Sequence, residues 1–125
     1  MHELSTSQAI ARIVLDKAKE QRAAKVLRVE IEIGRLSFLS PDQVAFWVKT
    51  SLEGTLAEDA EVHIERVEPQ ISCRACGYRG TLEIEDDPLY HILLPSFCCP
   101  ECRSSEIEIE KGRECVVKRI GIQQE

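Results

Sequence analysis

The sequence predicts an α+β fold: two amphipathic helices on a short mixed β-sheet, with a second small domain organised around two C-x-x-C pairs. Three observations carry this. Apolar residues recur at three- and four-residue steps over two early segments, and they alternate with charged residues over several others. After Pro69, cysteines and turn residues replace the long periodic stretches. The chain has 125 residues, a net charge of -6 and 5% aromatic residues, which fits one compact domain or two very small ones. A core that small needs support from a metal, disulfides or a partner subunit.

Taken in order, Ile10, Val14 and Ala18, flanked by Ala11, Ile13 and Leu15, predict a helix from Ser5 to about Ala23. Ser5 and Gln8 stand at capping-box spacing, so this helix is expected to begin near Leu4 to Ser7. Leu27, Val29, Ile31 and Ile33 then alternate with Arg28, Glu30 and Glu32, predicting a strand that ends at Gly34 with its odd positions facing the core. Ser40 and Pro41 are in N-cap and N1 order for a second helix, apolar at Val44, Phe46, Trp47, Val48 and Leu52 and stopped by Gly54. Trp47 reads as core packing. Val62 and Ile64 mark a second strand with His63 on its opposite, solvated face.

Late in the chain, Ile107 and Ile109 alternate with glutamates, Gly112 supplies a turn, and a mixed strand runs from Cys115 to Ile122. These two strands are expected to form a hairpin, and the last is long enough to return to the first sheet. Residues 1–68 and 112–125 therefore read as one discontinuous α+β domain and 69–111 as a separate module. The start, Met1-His2-Glu3-Leu4-Ser5, has neither a basic nor an apolar signal-peptide character, and no apolar run approaches the ~20 residues of a membrane span. A cytoplasmic setting with reduced thiols and no membrane partner is expected.

Cys73-Arg74-Ala75-Cys76 and Cys99-Pro100-Glu101-Cys102 are two C-x-x-C units with 22 residues between them. Each pair curls into a turn that brings two thiolates together, and two facing turns complete a tetrahedron for zinc. Four thiolates leave no open position, so the site is structural, and the module reads as zinc-ribbon-like. Cys98 adjoins Cys99, but a Cys98–Cys102 pair would have three intervening residues and lose the pattern of the first pair. Cys98 and Cys115 read as buried or simply reduced thiols. A rubredoxin-like iron site is the competing chemistry, and the sequence gives no cue for an electron-transfer partner. Residues 70–111 hold four basic against eight acidic side chains, a net of -4. A nucleic-acid-binding ribbon would need a basic face, so nucleic acid is not the expected partner.

Met1-His2-Glu3 places the terminal amine, the His2 peptide nitrogen and imidazole, and the Glu3 peptide nitrogen where they can form fused chelate rings in one plane. Nitrogen donors in a square plane suit Ni(II) or Cu(II). With this start, the helix after it, the segment Val29 to Leu39 including Ile33-Gly34, both cysteine pairs and the closing Lys118-Arg119-Ile120, the chain resembles the HypA/HybF family of hydrogenase-maturation nickel chaperones. The resemblance implies a cytoplasmic accessory protein, not an enzyme, that carries Ni(II) as cargo to the large subunit of a [NiFe]-hydrogenase with a HypB-type GTPase, as a monomer or homodimer. It implies nickel at Met1, His2 and Glu3, with the Glu3 backbone nitrogen as donor and its side chain left for recognition or orientation. Structural zinc falls to Cys73, Cys76, Cys99 and Cys102. The segment Asp86 to Pro95 is an insertion relative to the shortest members, and His91 within it reads either as a plain loop histidine or as an extra ligand that reaches the nickel.

Overall fold

The computed structural model describes residues 3–82 and 98–124. Among these, two helices and six strands follow in the order α1 (Glu3–Glu20), β1 (Ala23–Gly34), a 3-10 turn (Arg35–Ser37), α2 (Pro41–Ser51), β2 (Glu61–Val67), β3 (Gln70–Cys73), β4 (Arg79–Thr81), β5 (Ile107–Lys111) and β6 (Cys115–Gln124).

Helix α1 starts earlier than a Ser5 cap allows, because Ser5 lies inside its first turn. Glu3 supplies the acidic side chain that a helix N-terminus favours. Its end is local in origin: Arg22 takes a left-handed conformation (φ 54°), and the Gln21 and Arg22 amides bond back to Lys17 and Lys19 carbonyls. The chain then turns directly into β1. Ser7, Ile10, Ala11, Val14 and Ala18 form the buried stripe of α1. The α2 start follows the sequence pattern: Ser40 is the N-cap, its Oγ accepting from the Gln43 amide at 3.4 Å, and proline occupies the first turn. Val44 and Val48 are buried, while Phe46 is 60% exposed and Trp47 is only half-buried. The two rings meet edge to face, centroids 5.0 Å apart, so Trp47 packs partly against an exposed neighbour and not wholly into the core.

Among the described residues two three-stranded sheets form, ordered β2-β1-β6 and β4-β3-β5. In the first, β1 and β6 are antiparallel, with Val29 opposite Ile120, Ile31 opposite Val117 and Ile33 opposite Cys115. Val29, Ile31 and Ile33 are buried, as alternation requires, but Val26 is buried and Leu27 is 47% exposed. The register shifts between Val26 and Arg28 and between Glu30 and Ile31. A bulge adds a residue to one strand and reverses which face the following residues occupy, which is why the odd-position rule fails at Leu27. The expected hairpin of the last two strands does not form, whereas the expected return of the last strand to the first sheet does: β5 pairs with β3, and β6 pairs with β1.

The chain divides into two compact units, Met1–Ile33 with Leu39–Arg66 and Cys115–Glu125, and Gly34–Phe38 with Val67–Glu114. The first unit contains a continuous apolar core of α1, β1 and α2 residues, against which Val62, Ile64, Cys115, Val117, Ile120 and Ile122 pack. Among the described residues, the second unit buries little more than Ile71, Pro69, Leu82, Cys73 and Cys99. Its segment Gly34–Phe38 is tied to the end of the module by backbone bonds: the Gly34 amide to the Glu114 carbonyl at 2.8 Å and the Leu36 amide to Gly112 at 2.7 Å. A Cβ on Gly34 would lie 2.2 Å from the Gly112 carbonyl carbon, so glycine is required where these two backbones touch.

Candidate metal centre

Strand β3 delivers Cys73 at its end, and the chain turns through Cys76 before β4 begins at Arg79. The second cysteine pair precedes β5, which pairs with β3 on the other side, Cys73 opposite Ile107. The central strand thus has one knuckle at its own end and the other just ahead of its neighbour. A backbone bond from the Arg74 amide to the Glu106 carbonyl (2.9 Å) joins the two.

The knuckles share one hydrogen-bond scheme. The Cys73 amide bonds the Tyr78 carbonyl (2.8 Å) and the Gly77 amide returns to Cys73 O (3.0 Å). In the second, the Cys99 amide bonds Ser104 O (2.9 Å) and the Arg103 amide returns to Cys99 O (2.9 Å). The residue after each second cysteine is left-handed, Gly77 at φ 80° and Arg103 at φ 61°. Glycine enters this region without penalty, whereas arginine does so against its Cβ. The second knuckle is therefore a turn that the sequence does not mark with glycine.

Together the turns bring the sulfurs of Cys73, Cys76, Cys99 and Cys102 within 4.8 Å of one another. Cys73–Cys102 and Cys76–Cys99 are each 3.6 Å apart. A tetrahedron with Zn–S of about 2.3 Å has sulfurs about 3.8 Å apart, so four thiolates here fit a zinc ion with little adjustment. Their electrostatics agree. The Cys76 amide, outweighing burial, lowers the Cys73 thiol to about 7. Cys76 itself is drawn down by the Tyr78 amide, yet burial and the three neighbouring sulfurs push it up to about 12. For Cys102 the Ser104 amide pulls downward, and burial with Cys73 and Cys99 raises it overall. So dense a cluster resists full ionisation unless a cation balances it, and a divalent metal supplies that charge. Cys98 is exposed and is not among the four grouped sulfurs. Cys115 is half-buried in the first unit, opposite Ile33, and burial raises its thiol.

Of the terminal residues, Glu3 is described, while Met1, His2 and the loop histidine His91 lie outside the described residues. The Glu3 carboxylate accepts a hydrogen bond from the Ser40 amide at 3.2 Å. His63 is exposed on β2, its Nε2 3.1 Å from Glu61 Oε2. Of the acidic residues that give the module its negative charge, Glu108 pairs with Arg74 and Glu110 with Arg79. The Glu3–Ser40 contact is the feature the sequence concealed, because it joins positions 37 residues apart.

The model of one protein family matches residues 1–122; its description is hydrogenase/urease nickel incorporation, metallochaperone, HypA. The hydrogenase maturation factor HypA of Methanothermobacter thermautotrophicus is 43% identical over 123 residues, covering 98% of both chains. That of Chlorobium limicola is 36% identical, covering 99% of this chain and 98% of its own. The solution structure of the Ni metallochaperone HypA from Helicobacter pylori superposes with a TM-score of 0.70 over 100% of both chains at 23% identity, a likeness of fold.

Proposed function

This chain belongs to the HypA family of hydrogenase/urease nickel-incorporation metallochaperones, and on that premise we propose that it binds Ni(II) through its first three residues and hands it to the large subunit of a [NiFe]-hydrogenase. The donors are the Met1 amine, the peptide nitrogen and imidazole of His2, and the peptide nitrogen of Glu3. What supports this reading is that Glu3, the first described residue, already lies in the first turn of α1. The first four N–H groups of a helix have no intrahelical partner, so the Glu3 amide nitrogen can lose its proton to solvent and bind a metal without breaking the helix ladder. A planar set of nitrogens suits Ni(II).

The four cysteines hold a structural zinc, which supplies folding energy and stays bound while nickel comes and goes. A closed thiolate site is a poor place for cargo, whereas a chain terminus releases its metal by local motion alone. The protein acts in the cytoplasm, performs no catalysis of its own, and works with a HypB-type GTPase. Because the nitrogen donors must lose protons, nickel binding weakens as pH falls. Copper binds such donors more strongly than nickel, so selectivity comes from partner docking or metal supply.

The test is a nickel titration of protein with its native N-terminus against protein with one Gly placed before Met1, with zinc measured in both. The expected result is loss of tight nickel binding in the extended form with one zinc per chain retained. Equal nickel binding by both forms overturns the terminal chelate.

A further inference from the structure

We propose that Cys76 and Cys102 are the entry thiols of a reversible redox switch: a hypohalous acid joins an exposed sulfur to a buried one in the opposite knuckle, and the metal is released; this rests on the structural-zinc reading above. Exposure divides the four cysteines evenly. Cys73 and Cys99, the first of each pair, are 4% and 1% exposed, whereas Cys76 and Cys102, the second of each, are open to solvent. The Cys99 sulfur is further covered by the Glu101 amide, which donates to it at 3.4 Å. An oxidant therefore reaches one cysteine of each knuckle before the other. The neighbour of each exposed sulfur lies across the centre: Cys102 Sγ is 3.6 Å from Cys73 Sγ, and Cys76 Sγ is 3.6 Å from Cys99 Sγ. These pairs are already in van der Waals contact, so closing them to a bond of about 2 Å takes a side-chain rotation and no change of fold.

The chemistry balances with hypochlorous acid as the only added reactant. The exposed thiolate attacks chlorine; a sulfur–chlorine bond forms, the oxygen–chlorine bond breaks and hydroxide leaves. The facing thiolate then attacks that sulfur, the disulfide forms and chloride leaves. The two sulfurs together lose two electrons, and chlorine gains them. Either linkage removes two of the four thiolates, and a closed tetrahedral site that has lost two donors no longer holds its ion. A thiolate that shares its electron pair with a metal is a weaker nucleophile than a free one, so mild electrophiles pass it by and a strong oxidant is needed. Each linkage also keeps the knuckles side by side, so reduction returns the donors to the same geometry.

The experiment uses the full chain, as the parent and as Cys98→Ser, which removes the exposed thiol beside Cys99. Zinc content is measured first. Hypochlorous acid is then added in small portions while a chromogenic chelator follows released zinc, and disulfides are mapped by mass spectrometry after alkylation. The expected result is zinc release in step with Cys73–Cys102 or Cys76–Cys99 linkages, in the variant as in the parent, and full rebinding after dithiothreitol. Cys76→His combined with Cys102→His keeps four donors that zinc accepts and removes both exposed thiols, and it is expected to slow release by at least about tenfold. Linkages within a pair, Cys73–Cys76 or Cys99–Cys102, overturn the cross-knuckle assignment. Release that occurs in the parent and not in Cys98→Ser overturns Cys76 and Cys102 as the entry, as does release from the double-histidine variant at the parent rate. If that variant arrives without zinc, the disulfide map of Cys98→Ser decides alone. Parent protein without zinc before any oxidant removes the structural-zinc reading itself, whereas zinc that is present and stays bound throughout removes only the switch.

Discussion

Among the described residues the two units have three strands each, and what they bury differs. The first gathers Val14, Val26, Val29, Ile31, Ile33, Val44, Val48 and Leu52 into one buried cluster. Each fully buried side chain of this kind contributes roughly 1.5–3 kcal/mol. Among the described residues of the second, Pro69, Ile71, Leu82 and the thiols of Cys73 and Cys99 are buried. The described part of the first unit is thus supported by apolar area, while that of the second gathers around four cysteines close enough to share a metal.

The largest expected effect comes from removing that metal. Structural zinc in thiolate sites is worth about 10–16 kcal/mol of apparent binding energy, so stripping zinc with a strong chelator should unfold the second unit alone. Amide exchange measured by mass spectrometry checks this: β3 and β5 lose protection, and β1 keeps it. The complementary perturbation is Ile31→Ala, which empties a fully buried position of the first unit. It should destabilise by about 2–5 kcal/mol in denaturant melts while leaving zinc content at one per chain.

A smaller effect separates the two knuckles. Gly77→Ala forces a Cβ into a left-handed turn and should cost about 1 kcal/mol, whereas Arg103→Gly relieves the same strain and should weaken nothing or stabilise by up to about 1 kcal/mol. Zinc competition with a chromogenic chelator reads both, and equal losses from the two changes would contradict the shared scheme. The smallest effect concerns Cys115. Burial raises its thiol above the ordinary 9.0. Keeping it neutral contributes stability that is present below that unfolded value and lost as pH rises through the higher folded one. Iodoacetamide at pH 8 should label exposed Cys98 readily and Cys115 slowly, before and after zinc removal alike, while the four grouped cysteines become reactive only after it.

What was legible in the sequence was local. The C-x-x-C spacing, the Ser40-Pro41 helix start and the alternation from Val29 to Ile33 each depend on neighbours a few residues apart, and each gives the observed turn, cap or strand face. What escaped depends on partners. Alternation around Ile107 and Val117 says that strands exist and not which strand each pairs with: the hairpin expectation failed, while the length of the last strand pointed correctly to its return to the first sheet. Leu27 looked inward until bulges changed the phase of β1. Ser5 fitted a cap by spacing, yet the helix starts before it. Arg103 carries no glycine signal for its left-handed turn, and Glu3 gives no hint of Ser40.

The most direct test of the account is a nickel titration of zinc-stripped protein followed by amide NMR. Resonances of the second unit should collapse toward unfolded positions while those of the first unit persist, and nickel should still perturb Glu3 and Ser40 with near-parent affinity. Loss of nickel binding together with the zinc, or collapse of both units at once, would contradict it.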